Sequence, residues 1–207
     1  MSARCCQHDH EPDSGKSHQG RYRKILWVAL IINFTMFLVE IASGVKANSV
    51  SLFADSLDFL GDSANYGITL LVLGMSVAVR AKASLFKALT MAAFGLWVLG
   101  STVWNAATGV LPSAETMGII GVLAFVANLS VAALLYAYRE GDSNMRSVWL
   151  CTRNDALGNL AVIFAAIGVF GTSAAWPDLI VASIMASLAL HSSWIVIKHA
   201  RTELVNE

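Results

Sequence analysis

Three aspartates fall within eight residues of an otherwise apolar stretch: Asp55, Asp58 and Asp62 in LFADSLDFLGDSANYG, from Leu52 to Gly67. On a helix turning ~100° per residue, Asp58 and Asp62 lie ~40° apart and Asp55 falls within ~60° of Asp58, so the three share one face. Later in the chain Cys151 and Asp155 form another i, i+4 pair in a second apolar stretch. An ionisable group at the centre of a bilayer costs ~2.5–3.5 kcal/mol on insertion scales, and it is usually kept for a function. Two carboxylates one turn apart cannot both stay ionised cheaply in a low dielectric. A proton relieves that strain, and so does a divalent cation. Where both can bind they compete, which is the physical basis of cation/proton exchange. Two ligands from each of two helices suit a tetrahedral ion, and carboxylate oxygens with one thiolate are acceptable to Zn²⁺. The thiolate moves the preference toward Zn²⁺ or Cd²⁺ and away from Mg²⁺ or Ca²⁺.

The elements that must position these residues are legible from hydropathy. Of the 207 residues, 56% are hydrophobic and 14% charged, against about a quarter charged in soluble domains. A formal net charge of zero gives no reason to expect a nucleic-acid partner. After a polar lead of residues 1–24, six apolar segments follow at roughly 25–45, 51–78, 85–110, 115–138, 148–171 and 177–198, each near the ~20 residues that a spanning helix needs. Strand alternation is absent, which argues against a β-barrel. The expected fold is an all-α membrane protein of six transmembrane helices. Of the 14 basic residues, 12 fall in the N-terminal tail, the loop after helix 2 (Arg80, Lys82, Lys87), the loop after helix 4 (Arg139, Arg146) and the C-terminus. By the positive-inside rule both termini then face the cytoplasm, and residues 201–207 form a short cytoplasmic end.

Other polar residues keep company on inner faces. Asn33 and Glu40 are i, i+7 on helix 1, with Gly44 continuing the face. With Asp55 they are candidates for an ion pathway or for support of the ligands. Asp178 falls at the start of helix 6 and is expected at the interface. Glycines such as Gly95, Gly100 and Gly158 suit close helix approach. The lead reads as a disordered cytoplasmic tail in which Cys5, Cys6, His8 and His10 are candidates for capturing metal at the cytoplasmic mouth.

Together these residues resemble a known family. NFTMFLVEIASGVKANSVSLFADSLDFLGD, from Asn33 to Asp62, and NMRSVWLCTRNDALGN, from Asn144 to Asn159, are similar to the cation diffusion facilitators, with Asn128 and the Trp176-Pro177-Asp178 run also fitting. The resemblance covers residues 25–200 or so. It implies alternating access around a buried tetrahedral site formed by Asp58, Asp62, Cys151 and Asp155. It also implies export of divalent metal from the cytoplasm, proton entry and a homodimer in membrane lipid. The implied location is the bacterial inner (cell) membrane, as a multi-pass protein. Where the family carries a His-x-x-x-Asp pair on helix 5, this chain has Cys151 and Asp155, and Asn154 is an alternative oxygen donor. The family usually adds a cytoplasmic metal-binding domain after helix 6; the sequence ending at Glu207 leads to the expectation that it is lacking.

Two other classes compete with a transporter. A metal sensor or assembly subunit would bind metal without flux. An intramembrane aspartyl hydrolase would use two converging acids, such as Asp58 and Asp155, as catalysts, although no nucleophile elbow or cleft motif accompanies them.

Overall fold

A computed structural model describes residues 12–72, 77–138 and 143–205. Among them are six α-helices: α1 (Pro12–Ala47), α2 (Val50–Val72), α3 (Val77–Thr108), α4 (Ala114–Leu135), α5 (Ser143–Thr172) and α6 (Trp176–Val205). A single 3-10 turn, Tyr136–Tyr138, follows α4. No strand occurs among the described residues. The protein is an all-α membrane protein, as the hydropathy requires.

Several helices outrun their apolar segments. The first reaches back to Pro12 rather than 25, and the third starts at Val77 rather than 85. Arg80, Lys82 and Lys87, expected in a loop, therefore ride on α3. Long basic side chains can carry a helix past its apolar stretch because their stems lie along it while the charge reaches a polar environment. Five helices contain stretches long and apolar enough to cross a membrane: Gly20–Ala47, Ala81–Thr108, Ala114–Leu135, Asp155–Thr172 and Trp176–Thr202. Helix α2 is not among them: Asp55, Asp58 and Asp62, with Asn65 and several serines, make it too polar.

The helices are apolar on both faces, as lipid-immersed helices are. On α1, Ile31, Phe34 and Leu38 point outward, while Leu26, Ala29, Asn33, Met36 and Glu40 are buried. The most extensive pairings are α3 with α6, α4 with α5 and α1 with α2. Lipid tails are as apolar as leucine, so small residues that permit close approach matter more than hydrophobic area. Ala182, Ala186 and Ala189 of α6 meet Val50, Phe53, Ala54 and Leu57 of α2 and Val98 of α3. A Cβ on Gly95 would come within 3.2 Å of Leu190, whereas one on Gly100 would meet nothing within 4 Å. Among the described residues, the first of these two expected packing glycines has a close neighbour and the second has none.

The turn between α1 and α2 fixes how the acidic helix begins. Asn48 takes the left-handed conformation at φ 53°. The Ser49 N–H donates to Gly44 at 3.1 Å and the Asn48 N–H to Val45 at 3.3 Å, the paired bonds of a Schellman ending. Ser49 Oγ then accepts from Leu52 N at 3.3 Å as the cap of α2. The remaining donors at this end go to Asp178 of α6. Ser49 Oγ donates to Asp178 Oδ1 at 2.7 Å, Val50 N to Oδ2 at 2.9 Å and Ser51 N to Oδ1 at 3.1 Å. Asp178 is 1% exposed, buried between the starts of α6 and α2. The orphan amides of a helix N-terminus and its positive dipole end offset the carboxylate's burial.

Candidate metal centre

Helix α2 presents its acids toward α5, and the two helices run antiparallel along this seam. Successive levels are joined by contacts. Asp62 Oδ2 accepts from Thr152 Oγ1 at 3.2 Å, a Cβ on Gly158 would lie 3.6 Å from Asp58 Oδ2, and Asp55 accepts from Asn159. Gly158 thus leaves backbone rather than a side chain opposite the Asp58 carboxylate.

Asp58, Asp62 and Asp155 line one cavity of about 370 Å³ together with Asn65, Lys87 and Ser193. The Asp62 carboxyl also comes within hydrogen-bonding reach of Asp155. Of the four ligands named from sequence, three therefore share one cavity, drawn from α2 and α5 as expected. The side chains of Cys151 and Asn154 lie outside the described residues, as do Cys5, Cys6, His8 and His10. Among the described residues, no three His, Cys, Asp or Glu side chains converge tightly enough to complete a metal shell. Asp58 and Asp155 are partly exposed while Asp62 is 4% exposed, so the cavity has a buried end at Asp62 and a more open side.

Asp62 is held by groups that the sequence reading did not name. Tyr66 donates to Asp62 Oδ2 at 2.8 Å, and the Tyr66 and Thr152 hydroxyls are 2.6 Å apart. Tyr66 is four residues beyond Asp62, so helical arithmetic contained the signal; Thr152 depends on where α5 crosses α2, which periodicity within one helix does not reveal. A carboxylate fixed by such hydrogen bonds is oriented for ligation, as outer-shell partners of metal ligands commonly are.

A second polar group lies one level away. Asn128 of α4 donates to Asn159 Oδ1 at 2.9 Å, and Asn159 Nδ2 donates to both Asp55 oxygens at 2.9 and 2.8 Å. The Asp55 carboxyl in turn faces that of Glu40 on α1. Glu40 and Asp55 are fully buried, and among the described residues neither Glu40 oxygen receives a hydrogen bond. Two carboxylates in contact have no donor between them unless they share a proton. Asn33 stands apart: its amide donates back to Ala29 of its own helix at 2.9 Å, and its carbonyl oxygen accepts nothing among the described residues. The pathway candidates therefore separate into an assembled pair, Asp55 and Glu40, and an isolated Asn33.

An acid-lined cavity inside a helical membrane bundle, built from an Asp-x-x-x-Asp helix and a facing Asp155, agrees with what the comparisons find. The family model of the cation efflux transmembrane domain matches residues 26–205. The chain belongs to this family of cation diffusion facilitators. It is a multi-pass integral membrane protein. Among similar proteins, the metal cation efflux system protein CzcD of Cupriavidus metallidurans is 24% identical over 200 residues, covering 91% of this chain and 63% of the relative. The zinc transporter ZitB of Yersinia pestis is 28% identical over 195 residues, covering 88% and 62%. The cadmium, cobalt and zinc/H(+)-K(+) antiporter of Bacillus subtilis is 23% identical over 201 residues, covering 89% and 64%. The chain thus spans somewhat under two thirds of the length of these relatives.

Proposed function

We propose that this chain is the membrane part of a secondary transporter that exports divalent transition-metal ions, Zn²⁺ foremost with Cd²⁺ as an alternative, in exchange for protons. The observation that carries the reading is the cavity shared by Asp58, Asp62 and Asp155 at the α2–α5 seam. Family membership and the metal ions in the relatives' names support the same direction. In this reading Asp58, Asp62, Cys151 and Asp155 are the ligands of the transported ion. Tyr66 and Thr152 hold Asp62 in register. Asp55 and Glu40 act beside the site, not in it. The termini are cytoplasmic, the working unit is a homodimer, and the membrane is the bacterial inner membrane. The Cys5, Cys6, His8 and His10 group gathers ions at the cytoplasmic side.

The chemistry follows from charge. A divalent ion neutralises two carboxylates at once, and protons neutralise them singly, so the same residues can carry either load and not both together. A site that must release its ion at each turnover gains from ligands whose hydrogen bonding is incomplete in either state. The test is metal uptake into inside-out vesicles under an imposed pH gradient. Asp58→Ala and Asp155→Ala should each abolish gradient-driven Zn²⁺ uptake. Unchanged uptake in both would refute the transporter reading with these ligands. Zn²⁺ binding with no flux under any gradient would favour the sensor or assembly subunit instead.

A further inference from the structure

Lys87 enters the acidic cavity from α3 and serves no purpose in the reading above. It was expected in a loop on the strength of its charge, yet it lies eleven residues into α3, which begins at Val77. Its ammonium donates to Asn65 Oδ1 on α2. It lines the same cavity as Asp58, Asp62 and Asp155, and its charge acts on Asp62. It is partly buried. Asn65 falls three residues after Asp62, close to the acids' own face of α2.

We propose that Lys87 is a tethered competitor of the transported ion: a built-in cation that draws on the same carboxylates and so keeps metal binding weak enough for release. The proposal rests on reading Asp58, Asp62 and Asp155 as metal ligands. An ammonium is a compact point charge on a flexible four-carbon stem. From one anchorage on α3 it can turn between the Asn65 carbonyl and the carboxylates. The cavity gives it two kinds of acceptor, the amide oxygen of Asn65 and the carboxylates beyond. Time spent at Asn65 leaves the carboxylates to the metal; time spent at the carboxylates neutralises part of their charge and repels a second cation. Asn65 is thus the parking place that sets how strongly Lys87 competes. A lysine that merely anchored α3 to α2 through Asn65 would have no such two-sided effect.

The two alternatives predict different signs. Zn²⁺ affinity is measured on the purified full chain in detergent micelles, by competition with a fluorescent zinc indicator at fixed pH and ionic strength. Removing the charge in Lys87→Gln should tighten Zn²⁺ binding by roughly tenfold or more, tenfold being the scale for one unit charge ~6 Å from a divalent ion even at the dielectric of bulk water. Lys87→Arg should remain near wild type. Asn65→Leu, which removes the parking place and leaves the charge, should weaken binding several-fold. Unchanged or weaker binding in Lys87→Gln overturns the proposal, as does tighter binding in Asn65→Leu. Asp62→Asn is the separate control: it should lose Zn²⁺ binding in any case. If it binds as wild type does, the ligand assignment itself fails, whatever Lys87 does.

Discussion

Asp178 offers the most direct test of how the acidic helix is held. Its carboxylate takes three hydrogen bonds from the start of α2, those of Ser49 Oγ, Val50 N and Ser51 N at 2.7–3.1 Å. Asp178→Ala would leave two backbone N–H groups and a hydroxyl without their acceptor. Hydrogen bonds to a charged group are worth about 1.5–3 kcal/mol each, and a stranded buried donor costs about 1–3 kcal/mol. Three full losses would sum to more than the change should show. The site stands at a helix end where water can re-enter a truncated side chain, and Ser49 Oγ still caps Leu52 N. The expected cost is therefore about 2–4 kcal/mol, from the top of the ~0.5–2 kcal/mol range for a lost cap upward, because three donors are involved. Asp178→Asn should fall between, since it keeps one acceptor oxygen but turns an NH₂ group toward an N–H donor. The assay is reversible unfolding in mild detergent followed by tryptophan fluorescence, with Ser49→Ala and the double variant completing a cycle. A coupling of about 1 kcal/mol or more between positions 49 and 178 is expected for residues in one network. An Asp178→Ala cost below about 0.5 kcal/mol, the range of unremarkable surface changes, would refute the account of α2's N-terminus.

Three further outcomes follow from individual contacts. Asn159→Leu removes the amide that donates to both Asp55 oxygens and should destabilise the protein by about 2–4 kcal/mol in the same unfolding assay, because a buried carboxylate loses its compensation; Asp55→Asn in the Asn159→Leu background should recover part of this. Gly168→Ala drives a Cβ to 2.9 Å from the rigid Pro177 ring, whereas Gly61→Ala meets the movable end of Met91 at the same distance. The first should cost about 1–3 kcal/mol as overpacking and the second under about 1 kcal/mol, and equal costs would show that Pro177 can shift. Cys151→Ser, if Cys151 is a ligand, should weaken Cd²⁺ binding more than Mn²⁺ binding by calorimetry, since the hydroxyl is a harder donor.

What the sequence disclosed depended on whether the signal lay within one helix. Six helices, and the shared face of Asp55, Asp58 and Asp62, follow from hydropathy and from ~100° per residue; the six helices are present, and all three acids meet α5. Tyr66 at Asp62 + 4 and Asn159 at Asp155 + 4 obey the same arithmetic and were available to it. Thr152 opposite Asp62, Asn128 opposite Asn159, and Asp178 beneath α2 were not, because each depends on where one helix crosses another. Lys87 was misassigned for a different reason. Positive charge marks the cytoplasmic side of a membrane protein on average, but it does not distinguish a loop from the helix turn that follows it. An ammonium drawn to carboxylates on a neighbouring helix can sit inside the bundle while obeying the same rule.

The distribution of donors along the α2–α5 seam has a functional consequence. Asp62 receives Tyr66 and Thr152, and Asp55 receives both bonds from Asn159. Among the described residues, the hydrogen bonds engage the ends of this acidic face and not Asp58 at its middle, while Glu40 beyond Asp55 receives none. A carboxylate that already accepts protein hydrogen bonds is held in position without a cation, and Asp62, whose two donors share Oδ2, keeps its other oxygen for one. One left short of donors needs a cation or a proton for as long as it is buried. In the proposed transporter the seam then separates acids that the fold already positions, Asp62 and Asp55, from Asp58 and Glu40, which depend more on what enters. On this argument Asp58→Asn should abolish metal binding with little loss of stability, because no donor among the described residues is stranded by the change. Asp62→Asn should lose both binding and stability, because Tyr66 and Thr152 are matched to a carboxylate there. Equal stability losses in the two variants, measured by the unfolding assay above, would contradict the division.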